Sequence, residues 1–416
     1  MKKPRTVFIQ KKKSSNARKS GQPIPKWSLK KTVAYSLALP LVPFLWTVQN
    51  GLSRIVPVRK NRVTLFVPNI KSYACNPKYV TEALRDRYPG KYEFIWATRF
   101  PEEVKRDAPE EIRTVKAGSF AHFKAQFSSR VLISNDYMIP FFLKRKDQLY
   151  INTWHACMNY KRIGYDSLAF SQKIQEKEFA LKNYQPDAYI SGSRFFSENT
   201  ADAFRFEDRI FKAFGMPRND ILFGDSSCLI SEVREKLGLP EGAKTVLYAP
   251  TFRTGIAADD HNLNAALLVR ALSQRFGGDW VILYRSHYFI KEKLDNSGFY
   301  TDVTGYSDMQ ELLCFADVLV SDYSSCLWDF SLTKKPAFVY APDIEEYKND
   351  RAFAYPPEKW PFSIALSNEE LSMNILNYDE ERYLKDIEAH HKEAGSYDCG
   401  SASSRVAEMI DRYCPI

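Results

Sequence analysis

From residue 63 onward, short apolar runs alternate with longer segments whose apolar positions recur every three to four residues. The runs 63–67, 92–97, 131–134, 149–152 and 188–191 read as buried strands, with amphipathic helices predicted between several of them at 79–87, 120–127 and 194–204. A second series starts at 245–248 and continues at 280–284, 318–320 and 337–340, separated by helical patterns at 263–276, 309–314 and 325–332. Strands that are apolar throughout are buried on both faces, and alternation with helices makes their sheets parallel. Gly224-Asp225-Ser226-Ser227 supplies a turn between the two series. The pattern therefore predicts an α/β chain of two doubly wound, Rossmann-type domains, 59–225 and 226–416, with ligands bound at the carboxyl ends of the strands and in the cleft between them.

The first 58 residues do not follow this pattern. Residues 1–81 contain 17 Lys or Arg and no acid, so the remaining 42 basic residues face all 50 acidic ones, and the net charge of +9 belongs to one end of the chain. A nucleic-acid binder carries its basic residues along a groove of the fold, so no nucleic-acid partner is expected. A basic tail, 1–31, beside a membrane-associating segment, 32–58, that is uncharged from Thr32 to Ser53 fits an anionic membrane surface, where each nearby Lys or Arg contributes about 1 kcal/mol; a merely solubilising tail is the other reading. The strongly apolar stretch 33–48 would span about 24 Å as a helix, short of a hydrocarbon core of about 30 Å. Pro40 and Pro43 interrupt it. It reads as an interfacial helix or re-entrant wedge with Trp46 at headgroup level, or else as a hairpin packed on the body. The first reading makes the protein a peripheral one at the cytoplasmic face of the cell membrane. The seven cysteines are scattered without metal spacing, which implies a reducing compartment and no disulfide framework.

Polar clusters fall where the predicted strands end. They are Trp154-His155-Ala156-Cys157, with Lys161, Arg162 and Gly164 following; Gly215-Met216-Pro217-Arg218-Asn219-Asp220; Ala249-Pro250-Thr251-Phe252-Arg253; Arg285-Ser286-His287; and Ser321-Asp322-Tyr323-Ser324-Ser325, with Asp329 one turn later. Arginine presents a planar fork of donors suited to phosphate oxygens. Ser324 and Ser325 stand at a helix N-terminus, where they can cap the helix or, with the free N–H groups, cradle a phosphate. His155 and His287 each follow a strand, whereas His390 and His391 lie in a charged helix and read as solvated. Two histidines, several arginines and a hydroxyl-rich turn at one cleft point to phosphoryl chemistry, in which positioning and charge stabilisation dominate.

In this order the five motifs resemble those of the CDP-glycerol glycerophosphotransferases, the teichoic-acid polymerases and primases of bacterial cell walls. Lys334-Lys335-Pro336, Asp343 and Tyr347 add to the likeness, which covers roughly residues 130–350. The resemblance implies a GT-B-like fold with a basic membrane-associating N-terminal segment. It also implies transfer of glycerol phosphate from CDP-glycerol, or of a related polyol phosphate, to a polyprenyl-linked or polymer hydroxyl, with release of CMP. By the motif matches His155 is the general base and His287 the second catalytic histidine, assisting departure of CMP. Trp154, Arg218, Pro250, Thr251, Arg285, Ser286, Ser324, Ser325 and Asp329 are the implied substrate contacts. No cofactor and no structural metal are expected; magnesium can accompany the donor's pyrophosphate. The chain departs from the family at Met158-Asn159-Tyr160, where smaller residues are common, which bears on the acceptor. A CDP-ribitol phosphotransferase and a nucleotide-sugar glycosyltransferase of the same fold are the alternatives.

Overall fold

The structure is a computed structural model that describes residues 36–139, 144–167, 173–251, 263–286, 300–351 and 353–415. The whole basic tail, 1–31, Phe252, Arg253, His261 and His287 lie outside the described residues.

Two parallel sheets form the body. The first contains β1 (Arg59–Phe66), β2 (Glu93–Thr98), β3 (Arg113–Lys116), β4 (Ser129–Ser134), β5 (Leu149–Asn152), β6 (Ala188–Ser191) and β7 (Phe211–Ala213), in the order β3-β2-β1-β4-β5-β6-β7. The second contains β8 (Lys244–Ala249), β9 (Trp280–Tyr284), β10 (Tyr300–Asp302), β11 (Val318–Ser321), β12 (Ala337–Tyr340) and β13 (Ser363–Ala365), in the order β10-β9-β8-β11-β12-β13. Each sheet therefore reverses its strand order once, at β1/β4 and at β8/β11. Loops leaving the carboxyl ends of such a pair diverge and open a crevice, which is where doubly wound sheets bind ligands. This is the GT-B-like arrangement expected from the sequence.

All the strands expected from apolar runs are present. The four that gave no such signal, β3, β7, β10 and β13, are the edge strands of the two sheets. They are three or four residues long and only partly buried, so nothing requires them to be apolar throughout. β1 begins four residues earlier than its apolar run because Arg59 and Arg62 pair with Glu93 across the sheet.

The final helix, Ala402–Tyr413, lies within the range 226–416 but packs on the first sheet's layer. Val406, Ala407 and Ile410 join the core formed by Val63, Leu84 and Trp96, and Lys91 and Tyr92 both bond Asp411 at 2.6 Å. The chain thus crosses from the first unit to the second and back.

At the other end, helix Val42–Ile55 leaves an apolar stripe uncovered. Leu41, Phe44, Val48, Leu52 and Ile55, spaced by three or four residues, are exposed, as is Trp46. The helix end is tethered by Arg145 Nη1, which donates to the carbonyl of Val56 at 2.6 Å. Among the described residues no helix is long and apolar enough to cross a membrane.

Candidate active site

The loop after β5 is built to present one side chain. Asn152 Oδ1 accepts the N–H of Trp154 at 2.7 Å, and Trp154 adopts φ +49°, a left-handed conformation unusual for a bulky residue. Its indole is sunk among Tyr137, Phe179 and Phe204, which holds the strained backbone in place. The turn leaves His155 exposed between two buried neighbours, its ring stacked on Trp154 at 4.4 Å. His155 Nδ1 lies 2.8 Å from the carbonyl of Asn135, in the loop after β4. A carbonyl can only accept, so Nδ1 carries the proton and Nε2 keeps its lone pair in the neutral ring.

Arg218 holds this loop against the second unit. Its Nη1 donates to the His155 carbonyl at 2.7 Å and its Nη2 to Asp329 Oδ2 at 2.5 Å. Asp329 also accepts from Gln310 at 2.9 Å and Asn219 at 3.2 Å. Burial nevertheless raises the pKa of its carboxyl, and Arg218 with the two amides opposes that rise. Arg218 and Asp329, both expected as substrate contacts, are thus bonded to each other.

The remaining motifs sit at the carboxyl ends of β8, β9 and β11. Asp322, at the end of β11, accepts the Thr251 N–H at 2.8 Å and the Thr251 hydroxyl, locking Pro250 and Thr251 after β8. Ser324 Oγ accepts the Cys326 N–H at 3.3 Å, whereas the Ser325 side chain makes no capping bond. The Ser324 hydroxyl therefore bonds the turn's backbone, and both serines line the cleft. The helix that follows, Cys326–Ser331, has six residues, so its unbonded N–H groups matter more than its dipole. Ser286 is oriented by its N–H, which donates to Thr304 Oγ1 at 3.0 Å. Arg285 Nη1 donates to the carbonyls of Tyr306 and Val303, at 2.8 and 3.3 Å, and the guanidinium makes no salt bridge among the described residues. Desolvation lowers its pKa, and the charge of Asp308 opposes that fall.

A cavity of about 440 Å³ gathers all of these residues: Trp154, His155, Arg218, Pro250, Thr251, Arg285, Ser286, Ser324, Ser325 and Asp329. Of the expected site residues, only His287 is not described. The two carboxylates on this side, Asp322 and Asp329, already accept bonds from protein donors. Neither is a vacant ligand for a resident magnesium ion, so no step below passes through a metal. Among the described residues no cluster of three His, Cys, Asp or Glu could hold a metal.

Residues 48–412 match the family of CDP-Glycerol:Poly(glycerophosphate) glycerophosphotransferases. The chain belongs to this family. The chain is 30% identical over 358 residues to the teichoic acid poly(glycerol phosphate) polymerase of Staphylococcus epidermidis, covering 82% of this chain and 49% of that protein. It thus spans about half the length of that relative. It is 26% identical over 390 residues to the teichoic acid ribitol-phosphate primase of Bacillus spizizenii, covering 88% of this chain and 95% of the primase. Among solved structures, that of the wall teichoic acid polymerase TagF superposes with a TM-score of 0.78 at 27% identity, over 92% of this chain and 97% of that one.

Several residues that organise the candidate site carry no signal in the sequence. Asn76 donates to the Thr153 and Trp154 carbonyls at 3.0 and 2.9 Å and accepts the Arg218 N–H at 3.0 Å, joining two motifs. Asp398, beyond every motif, accepts the Met216 N–H at 2.7 Å, the Cys157 thiol at 3.1 Å and the Trp328 indole N–H at 3.3 Å. Only the three-dimensional structure brings these partners together. Met158 and Tyr160, the departures from the family pattern, are fully buried with Trp328 and Trp360 in the core between the two units. Their bulk serves packing as well as the cavity wall. His390 and His391 are not solvated as expected. His390 is buried against Tyr160 and Tyr355, and His391 stacks on Trp328, 4.5 Å between centroids. Burial pushes both imidazoles down to about 4, so they are neutral packing groups.

Proposed function

We propose that this chain transfers glycerol phosphate from CDP-glycerol to a hydroxyl of a lipid-linked or growing teichoic-acid polymer and releases CMP. The acceptor oxygen bonds to the β-phosphorus while the bond from that phosphorus to the CMP oxygen breaks. The acceptor's proton passes to His155 Nε2, and the electron pair leaves with CMP. The observation that carries this reading is the fixed tautomer of His155, whose Nδ1 is committed to the Asn135 carbonyl at 2.8 Å in a cavity shared with Arg285, Ser324 and Ser325. Arg285 is a partly buried cation that makes no salt bridge among the described residues, which favours the donor's phosphates. His287 belongs with the donor side by its motif.

CDP-ribitol is the second reading for the donor, favoured by the match to nearly the whole ribitol-phosphate primase. Association with the membrane surface is supported by the exposed stripe of helix Val42–Ile55 following a basic segment.

The test follows CMP release with CDP-glycerol, CDP-ribitol and UDP-sugars for the unaltered protein and for His155→Ala. The variant should lose transfer while calorimetric donor binding persists. Near-normal turnover in His155→Ala, or CMP release from neither CDP-polyol, would sink the assignment.

A further inference from the structure

A lysine of the first unit grips the second. Lys78, on helix Cys75–Arg87, donates from Nζ to Asp308 Oδ2 and to Glu311 Oε1, both at 2.8 Å, and its side chain is only 12% exposed. The Tyr79 hydroxyl donates to the same Asp308 oxygen at 2.9 Å, and Ser72 Oγ donates to the Ser307 carbonyl at 2.7 Å. Lys78, Asp308 and Glu311 belong to none of the five motifs, and Lys78 does not line the cavity that gathers them.

The grip falls on the loop 303–308, which runs from β10 to helix Met309–Phe315. Within the second unit the same loop orients the arginine motif. The carbonyls of Val303 and Tyr306 accept from Arg285 Nη1, and Thr304 Oγ1 accepts the Ser286 N–H. The loop is therefore fixed from both sides, by Ser72, Lys78 and Tyr79 of the first unit and by Arg285 and Ser286 of the second.

We propose that Lys78 is a positioning residue for the donor, acting through Asp308 and the loop 303–308 to keep Arg285 aimed and its charge free for a phosphate. The inference rests on the donor assignment made above. Two effects work in the same direction. The carbonyls that accept from Arg285 set where its fork of donors points, and a misplacement of about 1 Å can cost a hundredfold. The second effect is electrostatic. Asp308 is the charge that acts most strongly on Arg285, yet its carboxylate is bonded to Lys78 and Tyr79 and not to the arginine. Charges held out of water are little screened, so removing the lysine leaves Asp308 uncompensated beside a cation whose charge it already feels.

Calorimetry with CDP-glycerol tests this as a double-mutant cycle of Lys78→Met and Arg285→Ala. Lys78→Met alone should raise the donor Kd about tenfold, and Lys78→Arg should recover most of the affinity. On top of Arg285→Ala the same substitution should change Kd less than twofold, because a residue that works through Arg285 has nothing left to work on. An equal loss in both backgrounds, or a loss in neither, overturns the inference. Should Lys78→Met not fold, Tyr79→Phe removes a single bond to Asp308 and runs the same cycle, with a loss of about threefold expected only where Arg285 is present. Hydrogen exchange supplies a readout without nucleotide: the amides of Val303, Thr304 and Tyr306 should exchange at least tenfold faster in whichever of the two variants folds, and unchanged exchange there also overturns the inference. If the loop responds but the unaltered protein binds no CDP-glycerol, the donor assignment beneath the inference falls instead.

Discussion

Asp398 offers a substitution in which stability and catalysis should part company. Its carboxylate meets three fully buried residues, Cys157, Met216 and Trp328. Each lies within two positions of a site residue: His155, Arg218 and Asp329 respectively. Burial pushes the carboxyl up to about 6, against an ordinary value near 4, because three hydrogen bonds do not fully replace water. At roughly 1.4 kcal/mol per pH unit, keeping it ionised at pH 7 costs the folded state on the order of 3 kcal/mol. Asp398→Asn removes that cost. The amide oxygen can still accept from Met216, but the amide N–H₂ then faces the Trp328 N–H, donor against donor. One buried donor left unsatisfied costs about 1–3 kcal/mol. The two terms nearly cancel.

Chemical denaturation at pH 7 should therefore place Asp398→Asn within about 1–2 kcal/mol of the unaltered protein, since lost hydrogen bonds and relieved ionisation are of similar size. The pH dependence should also change. The folded carboxyl titrates near 6 and the unfolded one near 4, so this group favours folding below about pH 4. That contribution is lost as pH rises to about 6, and the variant should lack it. Turnover is another matter. Loosening three segments that carry His155, Arg218 and Asp329 should lower kcat tenfold or more, since a shift of about 1 Å can cost a hundredfold. CMP release under saturating substrates measures this. A variant with kcat within twofold of normal would refute the view that Asp398 positions the site.

Two further substitutions probe the frame around the cleft. Replacing Phe44 and Leu52 by Glu on the exposed stripe should weaken sedimentation with phosphatidylglycerol vesicles at least tenfold, about 1.4 kcal/mol, without altering CMP release from soluble acceptors. Gly192→Ala would bring a Cβ to 2.0 Å from Cys157 Sγ and 2.8 Å from Met216 Cγ, so it should destabilise the fold by about 1–3 kcal/mol or more and lower kcat, as read by urea titration and CMP release.

The interior strands and the five motifs were legible in the sequence because each sits where burial or chemistry restricts residue choice over several consecutive positions. Edge strands such as Tyr300–Asp302 were not, because a partly exposed strand of three residues has no such restriction. Asn76 and Asp398 were invisible for a different reason. A polar residue that bonds backbone groups 77 or 182 positions away looks, along the chain, like any surface residue. His390 and His391 were misjudged on the same principle, since their helix is charged on one face and packs aromatic rings on the other. The return of helix Ala402–Tyr413 to the first sheet likewise depends on which faces remain to be covered after the second sheet is complete.

Arg218 and Arg285 look equivalent in the sequence, each an arginine within a motif, and the structure separates them. Arg218 is neutralised by Asp329 at 2.5 Å and spends another donor on the His155 carbonyl. Arg285 bonds only carbonyls, at 2.8 and 3.3 Å, and no carboxylate bonds it, so most of its charge remains in a partly desolvated wall. A phosphate brought to that wall gains the interaction that Arg218 already has. Arg285→Ala should thus weaken calorimetric CDP-glycerol binding by about 2 kcal/mol or more, at least twentyfold, while leaving stability level or improved, because an uncompensated cation is removed. Arg218→Ala should do the reverse. It strands the Asp329 carboxylate in the interior, and breaking such a pair costs about 3–5 kcal/mol of folding stability. If the two variants instead lost donor affinity and stability in equal measure, the division between a structural and a ligand-facing arginine would be wrong.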